Sequence, residues 1–440
     1  MKAYLGYLNH IEQTIEEKFS KSEKPVNWYH PYRSASLEEQ RNELLERIGD
    51  SVHWDFKHTK PWINSISKGC RLCGQGEWSC LFVTGKCNAN CFYCPAVQDK
   101  DETPQTQKLL FSDPNTYAEY INQFGFQGVS FSGGEPLLFF DRTLDFIKTV
   151  RKACDPSIYM WMYTNGILIS DEKLQMLADA GLNEIRFDLG AVNYNSNVLK
   201  NAARFLPNVT VEIPAVPEEG KRLMELLPQL CEYGVTNLNL HQLRLTKYNS
   251  SKLLERDYTF LHGEQPTIAE SELTALGVID FVRENHLPIG INYCNFQFKN
   301  RFQKAGFRSK MANVLLKEGE EITENGFIRR IEAEENGTNR MVSFGELKSN
   351  RLFIPRINVS YYGRVLENLH SQSEAQSYSI AGEDFPVIEG IVAQPVVLSG
   401  AEIDSFIEMI SASGTDIPEH PILFEVWKQE FIEEGMRDFF

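Results

Sequence analysis

Three cysteines stand in eight positions, Cys87, Cys91 and Cys94 in "GKCNANCFYCP" (85–95). A closed tetrahedral zinc site takes four ligands and a disulfide takes two. Three thiolates suit a cubane 4Fe–4S cluster with one iron left free of protein ligand. A fully ligated cluster only passes electrons, whereas an open iron can hold a second molecule. The rival reading of the same residues is a structural zinc loop. Tyr93, just before the last cysteine, can stack a planar ring.

A second group lies just upstream. "GCRLCGQGEWSC" supplies Cys70, Cys73 and Cys80. C-x2-C is knuckle spacing, with two thiolates on one turn. Cys294 is the preferred fourth ligand, because it ends the last strand expected of the barrel described below. The expectation is a second metal site made of Cys70, Cys73, Cys80 and Cys294, holding an iron–sulfur cluster, iron or zinc. Cys154 and Cys231 sit on helical patterns and read as core thiols.

The chain around these cysteines has 440 residues, 42% of them apolar, which suggests two or three domains. Its net charge of −16 and lack of a long basic run argue against nucleic-acid binding. The N-terminus lacks the apolar core and cleavage site of a signal peptide. No run approaches the roughly 20 apolar residues that span a bilayer. These features predict a cytoplasmic protein with no membrane partner, whose cysteines are metal ligands and buried thiols rather than disulfides.

The pattern divides the chain into residues 1–69, 70–312 and 313–440. Residues 1–69 read as a helical extension. Leu8, Ile11, Ile15 and Phe19 recur at helical spacing, and Ser36 with Glu39 forms a capping-box pattern before a helix that stops at Gly49. From Cys80, short apolar runs alternate with amphipathic stretches. Strands are predicted in "CLFVTG" (80–85), "GVSFSGGEP" (128–136), "IYMWMYTNG" (158–166), "EIRFDLG" (184–190), "VTVEIPAVP" (209–217), "TNLNLHQLRL" (236–245) and "PIGINYC" (288–294). Helices are predicted at 141–153, 171–181 and 271–286. Such alternation argues for βαβ units in a partial or full α/β barrel, whose active site lies at the strand C-termini. Residues 313–440 read as a small α+β domain. "ENG" (335–337) signals a hairpin, and helices are expected at 399–414 and 420–440.

"CNANCFYCP" resembles the signature of the radical S-adenosylmethionine (radical SAM) superfamily, and the resemblance covers roughly residues 80–294. "SGGEP" (132–136) resembles that family's glycine–glycine–glutamate motif. The resemblance implies that the open iron binds the amino and carboxylate groups of SAM. It implies reductive cleavage of SAM to a 5′-deoxyadenosyl radical, which takes a hydrogen atom from substrate. By the same resemblance Gly133, Gly134 and Glu135 meet the SAM amine, and Tyr93 lies beside adenine. Thr164 or Asn165 of "YTNG" reaches the ribose or methionine, Arg186 pairs with the SAM carboxylate, and Asp188 bonds the ribose. Strand alternation puts Arg186 and Asp188 on one face without saying which.

The chain is also similar to an uncharacterised group related to pyruvate formate-lyase activating enzyme. It departs from the SPASM and twitch subfamilies, whose extra cysteines follow the barrel, since residues 295–440 contain none. The expected substrate is unknown, with a peptide or protein slightly favoured. Glycyl-radical activation and radical methylation are alternatives. The non-enzyme alternative is an iron–sulfur electron-transfer or metal-binding protein. A flavodoxin- or ferredoxin-like electron donor is implied. His241, Gln242 and Arg244 are further polar candidates at a strand end. The basic stretch 298–310 reads either as a substrate contact or as a solvated helix face.

Overall fold

A computed structural model describes residues 2–315, apart from 21–23, 31, 108 and 264; beyond Leu315 it describes short strands between Glu320 and Val397. The chain opens with α1 (Lys2–Lys18), α2 (Ala35–Ile48), β1 (His53–Asp55), β2 (Lys60–Ile63) and α3 (Lys68–Gly74). β3 (Trp78–Thr84), the small strands β4 (Gln105–Thr106) and β5 (Leu109–Leu110), α4 (Pro114–Phe124) and β6 (Gly128–Gly133) follow. Next come α5 (Phe140–Ala153), β7 (Tyr159–Thr164), α6 (Asp171–Asp179), β8 (Glu184–Phe187), β9 (Asn208–Pro214), α7 (Gly220–Glu232) and β10 (Asn237–His241). α8 (Ser250–Leu253), β11 (Phe260–Leu261), β12 (Thr267–Ile268), α9 (Ala269–Glu284) and β13 (Gly290–Cys294) complete the series. A helical segment then runs to Leu315, and its middle part, Lys299–Lys304, is wound as a π-helix.

One sheet of eleven strands has the order β1-β2-β13-β10-β9-β8-β7-β6-β3-β4-β5. Seven of these, β3, β6, β7, β8, β9, β10 and β13, are parallel and adjacent in chain order. This is the α/β barrel expected, in its partial form: β3 pairs onward with β4, and β13 with β2. Residues 53–63 therefore extend the barrel sheet instead of belonging to a wholly helical preface. They cover the edge of β13, which would otherwise expose unpaired backbone groups.

Alternation sorts each parallel strand into two faces. Val129, Phe131, Met160, Met162, Ile185, Phe187, Val211, Leu238, Leu240 and Ile291 join the main core with the outer helices. The opposite, concave face is polar or aromatic: Ser130, Trp161, Glu184, Arg186, Glu212, Asn239, His241, Asn292 and Cys294. Leu72 of α3 packs with Tyr159 and Trp161 on this face, so α3 fills part of the barrel's interior.

α1 buries Ile11 and Ile15, with Phe19 just past its end, against Val216, Leu243 and Leu245, and Phe92 and Tyr93 pack on the same cluster. The N-terminal helix thus rests on loops at the barrel mouth, beside the Cys87–Cys94 loop. α2 begins one residue before the expected capping box. Its N-cap is Ser34, whose Oγ accepts from His30 N–H, so Ser36 lies inside the helix. Gly49 ends it as read, at φ 48°. Past Leu315, Ile328–Ile331 and Val342–Ser343 pair antiparallel, and the "ENG" hairpin signal itself lies outside the described residues. The helices expected at 399–414 and 420–440 lie outside the described residues.

Candidate active site

The C-terminal edge of the parallel strands gathers the residues singled out by sequence. β3 and β6 shift register between Phe82 and Thr84, a bulge that re-aims the chain as it enters the cysteine loop. Cys87 N–H donates to Gln98 O (3.0 Å) and Cys94 N–H to Cys91 O (3.2 Å), which fold the loop back on itself. Three N–H groups point at its sulfurs. Ala89 N lies 3.4 Å and Asn165 Nδ2 3.7 Å from Cys87 Sγ, and Gln98 Nε2 lies 2.9 Å from Cys94 Sγ. Such donors are what thiolate ligands of an iron–sulfur cluster receive.

Burial holds the Cys87, Cys91 and Cys94 thiols above their usual range. Cys91 is pushed up to about 12 by burial and then by the Asp188 carboxylate. The loop therefore keeps its protons until a metal centre displaces them. Among the described residues no three His, Cys, Asp or Glu side chains converge on a position for one metal ion. Three thiols with N–H donors to sulfur are a donor set that fits a 4Fe–4S cluster.

The glycine–glycine–glutamate segment braces this loop. Gly134 N–H donates to Thr84 O (2.7 Å) and Glu135 N–H to Lys86 O (2.8 Å). A Cβ on Gly134 would overlap the Lys86 carbonyl, and Gly133 sits at φ 133° against Thr84. The glycines thus let β6 and the cysteine loop touch backbone to backbone. Glu135 is fully buried. It accepts from Leu137 N–H (3.0 Å), Thr164 Oγ1 (2.8 Å) and Asn165 N–H (2.7 Å), bolting the end of β6 to that of β7. Burial raises its carboxyl pKa, and those donors oppose the rise. Its oxygens are enclosed and already serve three of the roughly four acceptor positions that a carboxylate offers.

The other expected contacts divide similarly. Thr164 Oγ1 is spent on Glu135 and on Gly166 N–H, while Asn165 Nδ2 donates to Asn88 Oδ1 (2.7 Å), tying β7 to the cysteine loop. Arg186 and Asp188 both take the concave side. Arg186 is 2% exposed. Its N–H groups go to Glu184 (2.9 and 3.1 Å), Glu212 Oε2 (2.6 Å) and Ser67 Oγ (2.8 Å). In this arrangement its donors are engaged by these side chains of the concave face. Asp188 accepts the Tyr93 hydroxyl at 2.7 Å, and burial pushes its carboxyl up to about 6. Asn249 Nδ2 donates to Tyr93 O (3.1 Å), so the loop after β10 grips the cysteine loop from the other side.

Sequence reasoning missed the Glu212–His241–Lys299 row. His241 Nε2 is 2.6 Å from Glu212 Oε1, and Lys299 Nζ is 2.8 Å from His241 Nδ1. An ammonium only donates, so Nδ1 accepts and Nε2–H faces Glu212. Gln242, just past the end of β10, turns away and bonds Ile268 O and Phe296 N–H. Arg244 reaches Gln265. Within the basic stretch Lys299 points inward, contrary to a purely solvated face. Burial, then the Lys299 charge, lower the His241 pKa to about 4 against the pull of Glu212.

In the metal-free protein, nitrogen NMR of the His241 ring should find titration near pH 4. The folded value lies below the ordinary 6.5, so the stability contributed by the neutral ring is complete above that pH. It is lost as pH falls from 6.5 toward 4. Titration above pH 6 would contradict this arrangement.

Of the second cysteine group, Cys70, Cys73 and Cys294 face the concave side together. Cys80 lies on the same face of β3 but is bonded to Ser130 on the neighbouring strand, near Glu212 and Arg186. C-x2-C is not a knuckle here. Both cysteines lie on α3, an i, i+3 pair on one helix face, with Ser67 capping Cys70 N–H at 3.2 Å.

Parallel strands in chain order, with a three-cysteine loop on the C-terminal edge, define a class. Residues 81–241 match the Radical SAM superfamily model. Over these residues the chain carries a radical SAM domain, the domain of a class of enzymes that uses a 4Fe–4S cluster, SAM and a reductant. A Methanocaldococcus jannaschii protein described as a "Putative glycyl-radical enzyme activating enzyme" is 27% identical over 367 residues, covering 78% of this chain and 95% of that protein. A Rhodopirellula baltica GTP 3′,8-cyclase is 26% identical over 175 residues, 40% of this chain and 44% of its own length. Among solved structures, Streptococcus suis SuiB bound to S-adenosylmethionine aligns with TM-score 0.38 and 14% identity, covering 56% of this chain and 58% of that one. No helix among the described residues is long and apolar enough to cross a membrane.

Proposed function

We propose that Cys87, Cys91 and Cys94 hold the 4Fe–4S cluster and that SAM binds beside it at the barrel mouth. The observation that carries this is the cysteine loop itself: three thiols, N–H groups aimed at sulfur, and bracing from Glu135 and Asn165. A cluster held there would supply the electron for reductive cleavage of SAM to methionine and a 5′-deoxyadenosyl radical. The chain's residues position the reactants. Gly133 and Gly134 bring the β6 backbone to the loop, so backbone rather than the Glu135 carboxylate faces the SAM amine. Tyr93, clamped by Asp188 and Asn249, holds its ring beside adenine. A flavodoxin- or ferredoxin-like protein donates the electron.

The substrate we infer is a polypeptide, and glycyl-radical activation is the favoured case. The support is the Methanocaldococcus jannaschii relative, which this chain matches over 95% of its length. The test starts from anaerobically reconstituted protein, dithionite and SAM. Methionine and 5′-deoxyadenosine should form in equal amounts. No cleavage with the cluster intact would defeat the enzyme reading. Deuterated cell extract, fractionated by size, then tests the substrate class. Deuterium should enter 5′-deoxyadenosine from the protein fraction, and transfer only from small molecules would sink the polypeptide reading.

A further inference from the structure

We propose that Cys70, Cys73 and Cys294 hold a second 4Fe–4S cluster on the concave face of the barrel, with Lys60 as its counter-charge and one iron free of protein ligand. This goes beyond the SAM-cleaving site and does not depend on it.

The three sulfurs come from separate elements, α3 and the end of β13, and each accepts an N–H. Asn239 Nδ2 lies 3.1 Å from Cys70 Sγ, Gln303 Nε2 lies 3.0 Å from Cys73 Sγ, and Lys60 Nζ lies 2.6 Å from Cys294 Sγ. Asn239 comes from β10, Gln303 from the π-wound turn and Lys60 from β2, so the fold spends three unrelated elements on these sulfurs. A thiol needs no such set, whereas thiolates on a cluster do.

Lys60 is the second, independent observation. It is fully buried, and its described partners are the Cys294 sulfur and the Phe298 ring, 4.2 Å away. Among the described residues no carboxylate pairs with it. A buried ammonium is costly unless an anion faces it. Three neutral thiols supply none. Three thiolates on a 4Fe–4S core leave about one net negative charge, which matches the lysine.

A single divalent zinc or iron ion on three thiolates would also leave about one net negative charge beside Lys60, and the metal and sulfide content decides between them. With three cysteines only, the remaining iron is available to an amine, carboxylate or thiolate of the substrate, which narrows the substrate class to molecules presenting such a group.

The test uses the full chain reconstituted anaerobically with ferrous iron and sulfide. Wild type should hold about eight irons, and the Cys87→Ala/Cys91→Ala/Cys94→Ala variant about four, with a dithionite-dependent EPR signal. Adding Cys294→Ala to that variant should take iron close to zero. Lys60→Met in the same background keeps all three sulfurs. It should retain the iron while lowering the cluster's reduction potential, because a nearby positive charge is gone.

A triple variant without iron, beside a wild type holding about four, overturns this inference and leaves the SAM-cleaving site standing. Zinc bound in place of iron and sulfide overturns it as well. A triple variant as iron-rich as wild type would uphold this cluster and sink the first.

Discussion

Arg186→Met is expected to lower the unfolding free energy by about 3–5 kcal/mol, the usual penalty for leaving buried charge without its partner. Arg186 joins Glu184 on its own strand to Glu212 on β9 and reaches Ser67 at the start of α3. Its removal leaves two carboxylates enclosed on the concave face. Tyr159 and Thr210 still donate to Glu184, and Asn239 and His241 remain at Glu212, but no cation does. Urea denaturation of the metal-free protein at pH 7 measures the loss. Arg186→Lys keeps the charge without the planar fork and should fall between. A loss under about 1 kcal/mol would show that the ion pair is no keystone.

The pH dependence supplies a second check. Burial alone would raise the Glu212 pKa, but Arg186 and then His241 outweigh it and hold the carboxyl below the usual range. Its contribution is present above the ordinary carboxylate pKa and lost as pH falls below it. In Arg186→Met that acid-side loss should shrink, since the strongest force depressing the pKa has gone.

The parallel strands were legible because each pairs an apolar outer face with turn residues at its end. "GVSFSGGEP" and "IYMWMYTNG" end within two or three residues of β6 and β7. Which side faced inward was not legible. Arg186 and Asp188 share a face by alternation, but only curvature makes that face concave and only Glu184 and Glu212 use up the guanidinium. The family resemblance singled out Glu135 and Arg186, but their burial and their protein partners depend on the packing of several strands and could not be read from the motif. α3 was invisible to periodicity, since seven residues with glycines at both ends carry little helical signal. α4 did leave signs that went unread: Asp113 caps it, Pro114 opens it and Gly125 closes it at φ 60°. The return of β2 onto β13 joins residues some 230 apart, which no local pattern encodes.

Cys91→Ala is expected to remove SAM cleavage, with 5′-deoxyadenosine at the level of protein-free controls. Two cysteines cannot hold the cubane, and the substitution leaves no other sulfur in the Gly85–Pro95 loop to replace the third. The fold should survive, because the loop is tied at both ends through Lys86 O, Asn88 and Tyr93 rather than through sulfur. Asn165→Ala provides the graded companion. It removes the bond to Asn88 and the approach to Cys87 but no ligand, so cluster retention should weaken by about 10–100-fold. Iron loss to a chelator, followed at the cluster's visible absorption, separates the two. Cys91→Ala should begin depleted, and Asn165→Ala should begin loaded and bleach faster than wild type. If Cys91→Ala still made 5′-deoxyadenosine, the third ligand would have to lie elsewhere, and the bracing around this loop would serve some other purpose than holding iron.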